Sequence, residues 1–292
     1  MKRLIPFFII LLFFAACTQQ QAAAPPQPQQ RVIAMVPNLA EAVISVGAGD
    51  MLVGRCEACN VPGMPPYAEN VGGVLDPDME RVVALKPDLV LLQDTMDELK
   101  QKLEAVNLTT AALPLFTMDD VFKSIETVAG LLNKTAEGKK MTTIIKQQLQ
   151  QTAAKVKNRK PVRTLLVVGH DKGSLRELYL AGPGSFLDEL LQTAGGVNVF
   201  PAGDVPYPKP SKEEILRLNP DVILVLIHDS VGTPADQQRE LELWRELGYL
   251  DAVKNERVHL LTDDFITVPG PRMALIAARF APLLHPEVFA EQ

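Results

Sequence analysis

A chain of 292 residues that is 47% hydrophobic but only 5% aromatic has apolar material for one large core or two modest ones, built mainly from aliphatic side chains. Its formal charge of −6 offers no broad basic surface, which argues against nucleic acid as a partner.

The N-terminus reads as an export leader. Lys2 and Arg3 supply positive charge, Leu4–Phe14 is nearly all apolar, and Ala15, Ala16 and Cys17 follow. The apolar run is too short to span a bilayer as a mature helix but has the length of a secretory signal. Small residues directly before a cysteine resemble a bacterial lipoprotein cleavage site, although Phe14 stands where such sites usually carry Leu. Residues 1–17 are therefore expected to be signal peptide and lipobox, with Cys17 lipidated; an ordinary signal cut nearby is the competing reading. Residues 18–30 hold only Thr, Gln, Ala and Pro, a composition that buries no core and reads as a flexible tether. Fully extended, it reaches at most about 45 Å. A cysteine bearing three acyl chains anchors stably where one chain does not. Loss of Lys2 and Arg3 takes the charge from −6 to −8, so electrostatics gives no help at an anionic membrane. The expected location is exported, as a periplasmic or cell-surface lipoprotein.

The mature chain alternates strands and helices. Arg31–Val36 reads as a buried strand, then Asn38 as the cap of a helix to about Val46 that Gly47 and Gly49 end. Met51–Arg55 is a short strand and 56–75 a loop rich in Pro and Gly. Asp78–Leu85 is a helix, Asp88–Leu92 a strand, Thr95–Val106 a helix and Thr109–Leu113 a strand. Met118–Leu132 is helical. A longer helix, about Lys134–Lys157, carries Met141, Ile144, Ile145, Leu149, Ala153 and Val156 as its apolar stripe. Beyond Pro161 the alternation resumes: strand Thr164–Val168, helix Ser185–Thr193, helix Glu213–Leu218, strand Asp221–Ile227, helix Gln237–Leu247, strand Val258–Leu261 and helix Pro271–Leu284. Such alternation implies parallel sheets with helices on their faces.

The chain also repeats itself. Residues 77–91 align without gaps onto 210–224 at an offset of 133, with Pro77, Glu80, Leu85, Pro87, Asp88 and Leu91 matched by Pro210, Glu213, Leu218, Pro220, Asp221 and Leu224. In each copy Pro presets the first helical φ, Glu sits in the first turn where the helix dipole favours an anion, and the second Pro stops the helix before a buried strand. A weaker echo relates 38–49 to 185–196. The expected architecture is α/β: an N-terminal lobe over 31–133, a connecting helix over 134–158 and a C-terminal lobe over 159–292, the two lobes similar and each built on a parallel sheet.

These segments, with Arg31–Glu41, Val46–Gly54 and Val71–Gly73, resemble the class III periplasmic substrate-binding proteins of the vitamin B12, haem and ferric-siderophore importers, over about residues 31–285. The resemblance implies two α/β lobes joined by one long backbone helix, a ligand in the cleft between them, restricted closure and no catalysis. It implies partnership with an ABC permease and ATPase, a monomeric state, and one surface glutamate per lobe, Glu80 and Glu213, docking on the permease. It implies no cofactor of the protein's own, the bound chelate being a metal-containing corrinoid or siderophore. Val205–Pro208 matches a stretch that presents an aromatic ring to the corrin, which makes Tyr207 that ring. Cys59–Pro62 matches a loop that often reads Cys-Asp-Tyr-Pro; Asn60 and Val61 replace its Asp and Tyr, so one aromatic contact is missing and the haem alternative loses a common iron ligand.

Arg55, Glu57, His170, Asp171, Lys172, Asp229, Phe265 and Arg272 fall at strand ends or in the loops after them, where open α/β sheets bind ligands. Of these, Arg55, Glu57, His170, Phe265 and Arg272, with Tyr207, form the expected binding set. Cys56 and Cys59 form a local disulfide or stand as two loop thiols, with ligand contact a third reading; a metal site needs two further ligands. A zinc or manganese capture protein is disfavoured because His170, His228, His259 and His285 all lie beyond the long helix. An exported hydrolase is disfavoured because Gly182–Ser185 is no nucleophile elbow.

Overall fold

The computed structural model describes residues 30–203, 205–227 and 233–290. The expected leader, Cys17 and nearly all of the tether lie outside the described residues, as do His228 and Asp229.

The first lobe is a five-stranded, wholly parallel sheet. Its elements are β1 (Val32–Ala34), α1 (Pro37–Ser45), β2 (Leu52–Arg55), β3 (Glu69–Asn70), α2 (Met79–Ala84), β4 (Leu89–Gln93), α3 (Asp97–Ala105) and β5 (Thr110–Leu113), with strand order β3-β2-β1-β4-β5. β1 is buried throughout, and only the end of β4 reaches the surface, because helices cover both sheet faces; that is why both read as unbroken apolar runs. β3 lies inside the stretch read as loop, its two residues too few for a periodic signal. Pro37 opens α1, so Val36 rather than Asn38 holds the cap position and no side chain caps the helix. Asn38 instead directs its side chain to the Pro269 carbonyl of the second lobe at 3.4 Å.

Two antiparallel helices follow. α4 (Met118–Leu131) opens with a reciprocal capping box between Thr117 and Asp120. α5 (Thr135–Val156) runs for 22 residues, about 33 Å at 1.5 Å per residue. Its buried face is Gly138, Thr142, Ile145, Leu149, Thr152 and Val156. That face is rotated from the expected stripe, and Ile144 is exposed. The rotation follows from Gly138, which lets α4 approach so closely that an added Cβ there would lie 2.4 Å from Ala129 Cβ. Thr142 serves the same face by donating to Glu126 at 2.9 Å.

The second lobe repeats the plan. β6 (Val162–Gly169) is followed by β7 (Tyr179–Leu180), α6 (Phe186–Thr193), β8 (Gly196–Asn198), α7 (Lys212–Leu218), β9 (Val222–Leu226), α8 (Pro234–Arg245), α9 (Asp251–Lys254), β10 (Val258–Leu261), α10 (Met273–Leu284) and α11 (Pro286–Phe289). The order is β10-β9-β6-β7, with β8 parallel to the start of β6 and β7 antiparallel to its end. β4 and β9 correspond residue for residue at the offset of 133. Both repeat helices end in a left-handed residue, Lys86 (φ 46°) and Asn219 (φ 39°), also 133 apart. In both lobes an arginine just before or at the start of the first strand donates to the last helical carbonyls: Arg31 to Leu85 O at 2.7 Å and Arg163 to Leu218 O at 2.5 Å.

Candidate functional site

Parallel strands carry loops out of their C-terminal ends, and in both lobes those loops gather the residues named from sequence. Two cavities lie there. One, of about 600 Å³, is lined from the first lobe by Pro37, Glu57, Asn60 and Val61, and from the second by Thr262, Asp264, Val268 and Arg272. The other, of about 880 Å³, lies in the second lobe, where Val168–His170 leave β6 and Leu226–Ile227 end β9; one face of α8, Tyr207 and Thr267 close it. Adjacent residues Thr267 and Val268 line one cavity each, so the two are neighbours.

The first-lobe wall is set by Cys56 and Cys59. They are joined by a disulfide with Cα atoms 5.0 Å apart, and both are fully buried. The Cys56 N–H donates to Ala34 O at the end of β1, so the four-residue ring is pinned against the sheet. Glu57 and Asn60 are thereby held outward at the cavity. Neither cysteine opens a helix, as the first cysteine of a thioredoxin-like redox pair does.

The second-lobe wall centres on His170. Its Nε2 lies 2.6 Å from Glu240 Oε1 and its Nδ1 2.8 Å from Asp171 O. Both partners are acceptors, so only the doubly protonated ring donates to both. Burial opposes that charge, but the bonds to Glu240 and to the Asp171 carbonyl outweigh it, and the His170 pKa is raised. The Tyr207 ring packs perpendicular to that of Phe116 of the first lobe, with centroids 6.0 Å apart and planes at 88°. Burial also raises the Tyr207 phenol's pKa.

The lobes are tied beside the smaller cavity. Arg272, just before α10, donates from Nε to Glu41 Oε1 of α1 at 3.1 Å and from Nη1 to both Asp264 oxygens at 2.9 and 2.8 Å. Phe265 lies under that guanidinium at 5.3 Å. Glu41 is 6% exposed and its Oε2 has no hydrogen-bond partner among the described residues. Burial raises its pKa, and Arg272 only partly counters this. Two further bonds cross the lobes, Phe186 N to Phe116 O at 2.9 Å and Met118 N to Glu189 Oε2 at 2.6 Å.

The structure thus brings Glu57 and Arg272 to one cavity and His170 and Tyr207 to the other. Arg55 bonds to the Cys56 carbonyl and lines neither cavity. Phe265 supports Arg272 from the side. Glu240, Phe116 and Asp264 were not legible, because each matters only through a partner distant in sequence. Glu80 and Glu213 are exposed in the first turns of α2 and α7. Both helices start at the C-terminal edges of their sheets, so one glutamate stands on the cleft-side edge of each lobe.

Residues 32–265 match the family model described as periplasmic binding protein. The vitamin B12-binding protein of Vibrio cholerae is 26% identical over 248 residues, which is 84% of this chain and 85% of that one. An uncharacterised ABC transporter substrate-binding lipoprotein of Bacillus subtilis is 27% identical, covering 90% and 82%. Among solved structures, the periplasmic vitamin B12-binding protein of Vibrio cholerae superposes with a TM-score of 0.72 at 25% identity, covering 91% of this chain and 99% of that one. A periplasmic haem-binding protein from Pseudomonas aeruginosa superposes at 0.76 with 22% identity, covering 88% and 93%, a likeness of fold.

Proposed function

The chain belongs to the periplasmic binding protein family, as a substrate-binding protein of an ABC transporter, and we propose that it captures a corrinoid or a ferric siderophore between its lobes and hands it to the membrane permease. The observation that carries this reading is the pair of adjoining cavities at the C-terminal edges of both sheets, walled by the disulfide loop on one side and by Tyr207 and His170 on the other. Their combined size suits a ligand larger than a sugar or amino acid. The aromatic ring of Tyr207 on the wall of the larger cavity suits contact with a macrocycle. Val61 lines the smaller cavity with an aliphatic side chain and offers no iron ligand there, which favours a corrinoid or siderophore over haem. The Cys17 lipid and the 18–30 tether complete the proposal by holding a monomer at the membrane.

Docking follows from Glu80 and Glu213. Two exposed ion pairs contribute little each, but at two separated points they fix an orientation. Glu80→Gln combined with Glu213→Gln is expected to keep ligand affinity while abolishing uptake by the reconstituted transporter. Lost affinity with intact delivery of residual ligand contradicts the docking role.

A further inference from the structure

The cleft's charges define which chelates it accepts, an inference that rests on the substrate-binding reading above. The guanidinium and imidazole groups on its walls are already answered by carboxylates. Arg272 holds Glu41 and Asp264, Arg239 lies 3.1 Å from Asp236, and His170 lies on Glu240. Two carboxylates on the walls are not answered: the side chains of Glu57 at the smaller cavity and Glu246 at the larger have no ion-pair or hydrogen-bond partner among the described residues. Against them stands Lys172, exposed, with no carboxylate within ion-pair distance among the described residues. The chain as a whole adds a formal −6.

We propose that this cleft selects chelates without net negative charge, neutral corrinoids and neutral or cationic ferric hydroxamates, and turns away ferric tris-catecholates and haem with ionised propionates. Beyond Lys172, an anionic chelate must displace a carboxylate from Arg272 or Arg239 to find a further cation, and displacing Glu41 from Arg272 strands a carboxylate that is only 6% exposed. It must also approach Glu57 and Glu246, whose repulsion is screened least where the cleft excludes water. Neutral chelates meet neither cost. Their amide or hydroxamate oxygens can accept from Lys172 and Asn60, while Glu57 can accept from an amide N–H.

The test is calorimetric titration of the full mature chain with a charge series: a neutral corrinoid, a ferric tris-hydroxamate, a ferric tris-catecholate and haemin. The neutral and cationic chelates are expected to bind at least tenfold more tightly than the anionic ones. Glu57→Gln with Glu246→Gln, both exposed positions that leave the fold intact, is expected to narrow the gap, as is added salt. Equal or tighter binding of the tris-catecholate or haemin overturns the charge selection, as does a gap that ignores both the substitutions and the salt. Silence from all four chelates instead overturns the substrate-binding reading and takes the selection with it.

Discussion

Arg272→Gln is the sharpest perturbation of the lobe arrangement. It removes the guanidinium from Glu41, a carboxylate 6% exposed with one oxygen already unpartnered, and from Asp264, which is largely exposed. Breaking a buried ion pair from one side costs about 3–5 kcal/mol, because the remaining charge is left unpaired. The low end applies, since the Arg272 side chain is 22% exposed and water can reach the gap. Glu41→Gln is expected to cost less, because it leaves no buried charge and Arg272 keeps Asp264. The pH dependence has a definite sign. Burial holds the Glu41 pKa above its unfolded value, and loss of Arg272 raises it further. A raised pKa gives stability that is fully present below the unfolded pKa and lost as pH rises through the folded one. The Arg272→Gln deficit should therefore shrink as pH falls from about 7 toward 4.5, while the Glu41→Gln deficit should grow over the same range, because that variant lacks the stability the native chain gains on protonating Glu41. Urea unfolding of both variants across that range measures it. Equal deficits, or an Arg272→Gln deficit that ignores pH, refute the assignment of the cost to a stranded carboxylate.

Three further outcomes are expected. The raised His170 pKa means that its stabilisation is complete below about pH 6.5 and is lost as pH rises through the folded value, so the urea midpoint should decline as pH rises through that value and His170→Gln should remove this contribution to the decline. Gly138→Ala places a Cβ against Ala129 and should lower stability by about 1–2 kcal/mol, overpacking outweighing the gain in helix propensity; Gly130→Ala on α4, with no atom within 4 Å of the new Cβ, should raise it by up to about 1 kcal/mol. Cys56→Ala with Cys59→Ala opens a small ring and should cost about 2 kcal/mol by chain entropy. It should also weaken ligand binding, because Glu57 and Asn60 lose their fixed stance, both read by chemical denaturation and titration.

What was legible in the sequence was local and periodic. The ungapped match of 77–91 to 210–224 located α2 with β4 and α7 with β9, because a Pro-bounded helix leading into a buried apolar strand leaves a mark at every step. The edge strands β7 and β8 were hidden because two or three residues show no period and their partner β6 decides their pairing. Asn38 carried the chemistry of a cap, but Pro37 had already fixed the first helical φ, which moved Asn38 inside the helix and toward the other lobe. Arg272 read as a cation waiting for a ligand. Its satisfaction by Glu41, 231 residues away, is a property of how the lobes meet and leaves no local trace. The same holds for His170 and Glu240, 70 residues apart. The arginines at 31 and 163, each bonding the end of its lobe's repeat helix, did have a readable signal: a basic residue at the entrance to each lobe's first strand.

The central claim is that the cleft between the lobes holds a metal chelate, and one titration tests it most directly. The single tryptophan, Trp244, is fully buried in the second lobe, so heat rather than fluorescence quenching is the suitable signal. Calorimetry of the mature chain with a neutral corrinoid and a ferric tris-hydroxamate should show one site with low-micromolar or tighter affinity for at least one of them, about 8 kcal/mol or more of binding free energy. Tyr207→Ala should weaken that site by tenfold or more. Absence of heat with both chelates and with every other metal chelate tried, or binding untouched by Tyr207→Ala, contradicts the account.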